Sequence, residues 1–272
     1  MSPSIHHNDD ALADFDPREF VFDGKAKRVH VAGTGPAVIV MAEMPGISPD
    51  VARFARWVRD AGFTVHMPSL FGTDGAWPTA EAGAAVFRQA CISREFQVLG
   101  AGRASPVTAW LRALARQAHA ECGGPGVGAV GMCFTGNFAL SMMLEPALLA
   151  PVLCQPSLPL DDPAGLEISA DELATVRQRL DREDLSALAL RFEGDRVCRA
   201  ARFERYAAAL GERFVARVLP DSAAHPAPPP FFATHVPYPH SVLTAHLVDA
   251  DGEPTRQARD EVLAFLRRRL QP

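Results

Sequence analysis

Val127-Gly128-Ala129-Val130-Gly131-Met132-Cys133-Phe134-Thr135-Gly136 is the stretch that decides the fold. Residues 127–132 are small or apolar without a break, the pattern of a strand buried on both faces. A cysteine on a glycine-containing turn follows, and a helical pattern begins at once. A nucleophile carried on such a strand–turn–helix corner is pushed out beyond the carboxyl edge of a sheet, provided that a small residue two positions earlier relieves the crowding. Gly131 meets that requirement. Two positions after the cysteine the strict pattern asks for glycine, and this chain has Thr135, with Gly136 next.

Outward from this corner, short apolar runs alternate with amphipathic helical stretches. Strands are expected at 28–31, 37–41, 63–67, 127–132, 152–154, 187–192 and 213–218, most of them parallel. Ser48-Pro49-Asp50 places an N-cap, a proline in the first turn and an acid beside it, and Val51, Phe54, Trp57, Val58 and Ala61 then share one face up to Gly62. Ser105-Pro106 opens a second helix in the same way, with Val107, Trp110, Leu111, Leu114 and Ala118 inward. Ser169-Ala170-Asp171-Glu172 has the form of a capping box, and Ala258, Val262, Phe265 and Leu266 form the inner stripe of the last helix. The class implied is α/β, a mostly parallel sheet covered by helices on both faces. Residues 1–19 are polar and acidic at first and read as a poorly ordered lead-in; 20–272 read as one domain. Two irregular stretches, 160–169 and the proline-rich 225–239, are long enough to cover a site.

The 272 residues are 48% hydrophobic and 22% charged, enough for one large core, and the formal net charge of −5 leaves no basic surplus for a phosphate backbone. A nucleic-acid partner is therefore not expected. The five cysteines, at 91, 122, 133, 154 and 198, are odd in number and widely spaced, which suggests neither a disulfide framework nor a zinc site. No apolar run approaches the length of a membrane span, and no basic start followed by an apolar core marks a leader. The expected setting is the cytoplasm, with no membrane partner, no metal and no cofactor; the oligomeric state is left open. The glycines at 124–128 precede a strand rather than follow one and lack the Lys-Ser/Thr of a phosphate loop. His6-His7 is a short polar pair, and Arg267-Arg268-Arg269 suits the negative end of the last helix.

A cysteine nucleophile needs a base, and the base needs an orienting acid. On a corner of this type these follow in chain order, acid first and histidine second. Asp195 leaves the strand 187–192 through Glu193-Gly194 and is the preferred acid, with Glu193 as its rival. His240, in Pro237-Tyr238-Pro239-His240-Ser241, is the candidate base; His225, His235 and His246 share its region. Glu43, just past the strand 37–41, stands either in the cleft or on the surface.

These residues resemble the dienelactone hydrolase family, small cysteine-dependent enzymes of the α/β-hydrolase fold. Gly131-Met132-Cys133-Phe134 is similar to that family's nucleophile turn, Gly194-Asp195-Arg196-Val197 to its acid turn, and His240-Ser241-Val242 to its histidine turn. Met41-Ala42-Glu43-Met44-Pro45-Gly46 resembles its segment with a buried glutamate. The resemblance favours His240 over its neighbours and implies that Glu43 meets the cysteine and helps to form the thiolate. It implies, too, that the backbone N–H groups of Met44 and Phe134 receive the oxyanion. A carboxylic ester or lactone, a small molecule, is the implied substrate. Family members hold a substrate carboxylate with arginines, one of them a few residues after the histidine; here Ser241-Val242-Leu243-Thr244 has none, and Arg88 and Arg94 are the substitutes available. Two other readings remain, a ligand-binding member of the fold and an enzyme passing the acyl group to an acceptor other than water.

Overall fold

The computed structural model describes residues 9–92 and 105–271. Eight strands form one sheet: β1 (Asp16–Phe22), β2 (Lys25–Ala32), β3 (Ala37–Met41), β4 (Thr64–Pro68), β5 (Val127–Met132), β6 (Leu148–Cys154), β7 (Ala187–Phe192) and β8 (Phe214–Leu219). Their order is β1-β2-β4-β3-β5-β6-β7-β8. Pairings from β4 to β8 are parallel, while β1 with β2 and β2 with β4 run antiparallel. All seven expected strands are present. Three of them, at 37–41, 127–132 and 187–192, have the expected ends.

The helices are α1 (Pro49–Asp60), α2 (Ala80–Ile92), α3 (Pro106–Cys122), α4 (Gly136–Ser141), α5 (Ala170–Arg182), α6 (Ala200–Leu210), α7 (Pro230–His235) and α8 (Pro254–Leu270). Ser48 and Ser105 cap α1 and α3 as their sequences predict, each accepting the N–H three residues on, and Ser169 does the same for α5. The sheet divides the core in two because successive strand side chains point to opposite faces. Val38 and Val40 pack with Val51 and Phe54 of α1 and Val262 and Leu266 of α8. Ile39 and Met41 pack on the other face with Trp110 and Leu111 of α3, Phe138 of α4, Leu180 of α5 and Tyr206 of α6.

The segment read as a loose lead-in is structured from residue 9 onward. Leu12 and Phe15 are buried, Arg56 bonds both Asp10 and Asp14, and the boundary expected at residue 20 falls inside β1. The acids that look like a solvated run are partners for arginines on α1. His6-His7 and Arg94 lie outside the described residues. The proline-rich stretch contains α7, with Pro230 at its start, where the missing N–H has no helical partner to lose. Among the described residues no helix is long and apolar enough to cross a membrane, and no three His, Cys, Asp or Glu side chains gather into a metal-holding group.

Candidate active site

Cys133 sits at the carboxyl end of β5 with φ of 52°, in the left-handed region that non-glycine residues seldom occupy. Such a backbone costs on the order of 1–3 kcal/mol and persists only where its surroundings enforce it. Here they do. Gly131 leaves no room for a Cβ, which would lie 2.2 Å from the carbonyl oxygen of Thr135, and a Cβ on Gly136 would lie 2.6 Å from Cα of Pro156. The carbonyl of Cys133 accepts the N–H of Ser157 at 2.9 Å. The departure at Thr135 has a structural role: its hydroxyl accepts the N–H of Met132 at 2.9 Å and faces the carbonyls of Met41 and Ala42 at 3.1 and 3.2 Å. A side chain thus ties the cysteine turn to the end of β3, where a glycine would leave a gap.

The acid and the histidine come from the loops after β7 and β8. Asp195 is buried; its Oδ1 accepts the N–H groups of Val197 and Cys198, both at 2.9 Å, and its Oδ2 accepts from His240 Nδ1 at 2.7 Å. Its rival Glu193 is exposed. Gly194 lets the loop pass against Asp221, whose carboxylate accepts the Gly194 N–H at 2.7 Å. His240 is 3% exposed, and on its other side it interacts with Cys133, with which it shares the cavity wall. Burial opposes a charge on this imidazole, but the Asp195 carboxylate and Cys133 outweigh it and hold its pKa well above the ordinary histidine value.

Glu43, which follows β3, is 2% exposed and faces the histidine loop. Its carboxylate accepts from the hydroxyls of Thr244 and Ser241, the latter at 2.7 Å, and from Gln155 Nε2 at 3.3 Å. No hydrogen bond to Cys133 occupies it, although both residues line one cavity. Burial raises its pKa, and the bonds from Thr244 and Ser241 only partly offset that. Gln155, at φ of 34°, joins the same network by accepting the Val242 N–H at 3.4 Å.

Of the other histidines, His225 is outside the group, and His235 lines the cavity from α7, stacked on the ring of Phe231 at 4.7 Å, without bonding Asp195 or Cys133. His246 is buried and accepts the Ser241 N–H at its Nδ1, 3.1 Å away, so it braces the loop beside His240. Burial, and then the charge of His240, push its pKa down to about 4, which keeps this acceptor nitrogen unprotonated. Reading along the chain weighed His246 only as a rival base; its bracing part, like those of Thr135, Gln155, Ser241 and Thr244, depends on contacts between distant segments.

A cavity of about 330 Å³ opens over Cys133. Glu43, Met44, Phe134, Ser157 and His240 form its floor and one wall. Both irregular stretches singled out in the sequence reach it, through Leu160 and through α7. Arg202 fastens the first of them, donating to the carbonyls of Pro156, Pro159, Asp162 and Gly165 at 2.5–2.9 Å. Arg88 is exposed on α2 and is not part of the lining. The four cysteines whose side chains are described, Cys122, Cys133, Cys154 and Cys198, are free thiols.

The architecture is shared widely among solved structures. A proposed dienelactone hydrolase from Klebsiella pneumoniae matches with a TM-score of 0.60 at 17% identity, covering 92% of this chain and 98% of its own. The dienelactone hydrolase of Anabaena variabilis matches with a TM-score of 0.55 at 13% identity, over 93% and 99%. The dienelactone hydrolase-like promiscuous phosphotriesterase P91, from metagenomic libraries, gives 0.59 at 16% identity, over 92% and 96%. At such identities the likeness establishes the α/β-hydrolase fold. No curated protein sequence matches this one. The sequence model of the dienelactone hydrolase family matches residues 23–161, more than half of the chain. Asp195 and His240 lie beyond that stretch, but Glu43 and the turn bearing Cys133 lie within it, and the chain belongs to the dienelactone hydrolase family.

Proposed function

We propose that this protein hydrolyses a small carboxylic ester or lactone with Cys133 as nucleophile, His240 as general base and Asp195 as its orienting acid. One observation carries the reading: Asp195 hydrogen-bonds His240, and His240 faces Cys133 at the wall of a cavity that both line. The raised pKa of His240 suits a site in which the thiol proton passes to the imidazole, because the imidazolium is stabilised by Asp195 on one side and by the thiolate on the other.

In the first half-reaction the sulfur of Cys133 attacks the carbonyl carbon, and the backbone N–H groups of Met44 and Phe134 hold the oxyanion. Collapse breaks the carbon–oxygen bond, His240 returns its proton to the departing alkoxide, and an acyl thioester remains. Water, giving its proton to His240, then attacks the thioester and releases the acid. Glu43 assists when it leaves Ser241 and Thr244 and turns to the thiol, a movement within the cavity it already lines. A reactive free thiol fits the reducing cytoplasm, and a cavity of this size fits a small molecule as partner.

The test is Cys133→Ala against a p-nitrophenyl ester. Turnover should vanish, and iodoacetamide should label Cys133 in the wild type before the buried Cys154 and Cys198. Turnover that survives the substitution would sink the cysteine mechanism. An intact protein inert toward a broad ester panel would favour the ligand-binding reading instead.

A further inference from the structure

Resting on the reading that esters are cleaved at Cys133, we infer that the group presented to the cavity is uncharged and apolar, an acyl chain of about four to six carbons or a small aryl group, rather than one bearing a carboxylate. Small side chains on one helix and large ones on another shape this space. Ala80, Gly83 and Ala84 of α2 fall one turn apart on a single face, and Phe231 and Phe232 of α7, with Val236 just past its end, oppose them. Gly83 sets the gap: a Cβ there would lie 2.6 Å from the ring of Phe231. The result is an apolar slot beside the nucleophile, near the lower end of the roughly 300–1,000 Å³ usual for small-ligand sites.

Charge points the same way. Among the described residues no lysine or arginine lines the cavity. Arg88, one turn beyond Ala84, is exposed, and Arg196, next to the lining Val197, lies over the ring of Tyr238 at 5.4 Å. Thr244 occupies the stretch after the histidine and bonds Glu43. His240, the buried basic group, already faces the Asp195 carboxylate and Cys133. A substrate carboxylate would lose its water beside Glu43 and the cysteine and find no lysine or arginine among the described lining residues, only the exposed His235 at the edge of α7, whereas an alkyl or aryl group loses nothing.

The inference is tested with p-nitrophenyl acetate, butanoate and hexanoate and with the hydrogen glutarate monoester. From acetate to butanoate kcat/KM should rise at least about 10-fold, the least that one well-packed methylene gives. The glutarate ester should fall below the neutral esters by on the order of 10²-fold. Ala84→Leu, which fills the slot, should lower the hexanoate-to-acetate ratio at least about 10-fold. A glutarate ester cleaved as well as hexanoate, with that activity lost in Arg88→Ala, overturns the inference. So does a ratio that Ala84→Leu leaves unmoved.

A second readout needs no turnover. The adduct on Cys133 is followed by peptide mass spectrometry with N-butylmaleimide and with 3-maleimidopropionate, and their rate ratio is divided by that measured with free cysteine. The corrected ratio should exceed about 10 in favour of the butyl reagent. A corrected ratio near one overturns the inference. Neutral preference without any ester turnover would leave the inference standing and refute hydrolysis, so the two failures are distinguishable.

Discussion

Asp195→Asn tests the arrangement of Asp195, His240 and Cys133 at its most constrained point. Oδ1 of Asp195 accepts two backbone N–H groups at 2.9 Å, while Oδ2 accepts His240 Nδ1 at 2.7 Å. An asparagine in the same pose must keep its carbonyl oxygen toward Val197 and Cys198. Turning the amide over would set its NH₂ against those two N–H donors and leave both unsatisfied, at about 1–3 kcal/mol each. The NH₂ therefore faces His240, and its nitrogen there must accept a hydrogen bond. The ring is forced into the tautomer that carries its proton on Nε2, toward the sulfur, where it cannot take the thiol proton. In a serine triad the same change costs about 10⁴ in rate. A thiol is a few per cent ionised at neutral pH without help, so a loss of about 10²–10⁴ in kcat/KM is expected here. The melting temperature should move by no more than about 4 °C, because every hydrogen bond of the loop is retained. The assay is p-nitrophenyl butanoate turnover across pH, with the rate of Cys133 alkylation measured alongside. A variant within about three-fold of wild type in both would refute the role given to Asp195.

Two further outcomes follow from the site. Gly131→Ala places a Cβ 2.2 Å from the Thr135 carbonyl oxygen, where backbone rather than side chain has to give way, so urea melts should show a loss of about 1–3 kcal/mol and kcat should drop about 10²-fold as the turn shifts; wild-type values in both would mean the turn tolerates a side chain. The raised pKa of Glu43 means that the folded protein binds a proton there more tightly than the unfolded chain does, so the stability it contributes is complete below the unfolded value and is lost as pH rises through the folded one. Glu43→Gln should gain on wild type by about 2–4 °C in melting temperature between about pH 5 and about pH 8, and a constant difference across that range would contradict a buried carboxyl of raised pKa.

The central strands were legible because a strand covered on both faces is apolar at nearly every position, as at 127–132 and 187–192, over a run too short for a helix. β1 was not, because only Phe20 of its seven residues is buried and it borders the sheet on one side alone. A signal was present in Asp23-Gly24, which turns at φ of 50° and 70° between β1 and β2, the two-residue hairpin turn read from a dipeptide. α2 escaped notice for a related reason: its cavity face is Ala80, Gly83 and Ala84, too small to make an apolar stripe. In the site, Cys133, Asp195 and His240 were approachable because each follows a recognisable strand or turn. The partners of Glu43 were not. Ser241 and Thr244 stand 198 and 201 residues away from it, and no local pattern anticipates a contact over that distance.

That same separation orders events during synthesis. Residues near 43 and 133 leave the ribosome before those near 195 and 240, and β3 and β5, which carry the first two, are neighbours in the finished sheet. Yet the imidazole at 240, the carboxylate at 195 that orients it, and the hydroxyls at 241 and 244 that hold Glu43 all arrive later. A nascent chain halted before its eighth strand carries the cysteine on its corner with no base beside it. Under the mechanism proposed above, a copy that lacks residues 195–244 therefore carries an ordinary thiol at 133 instead of an activated nucleophile.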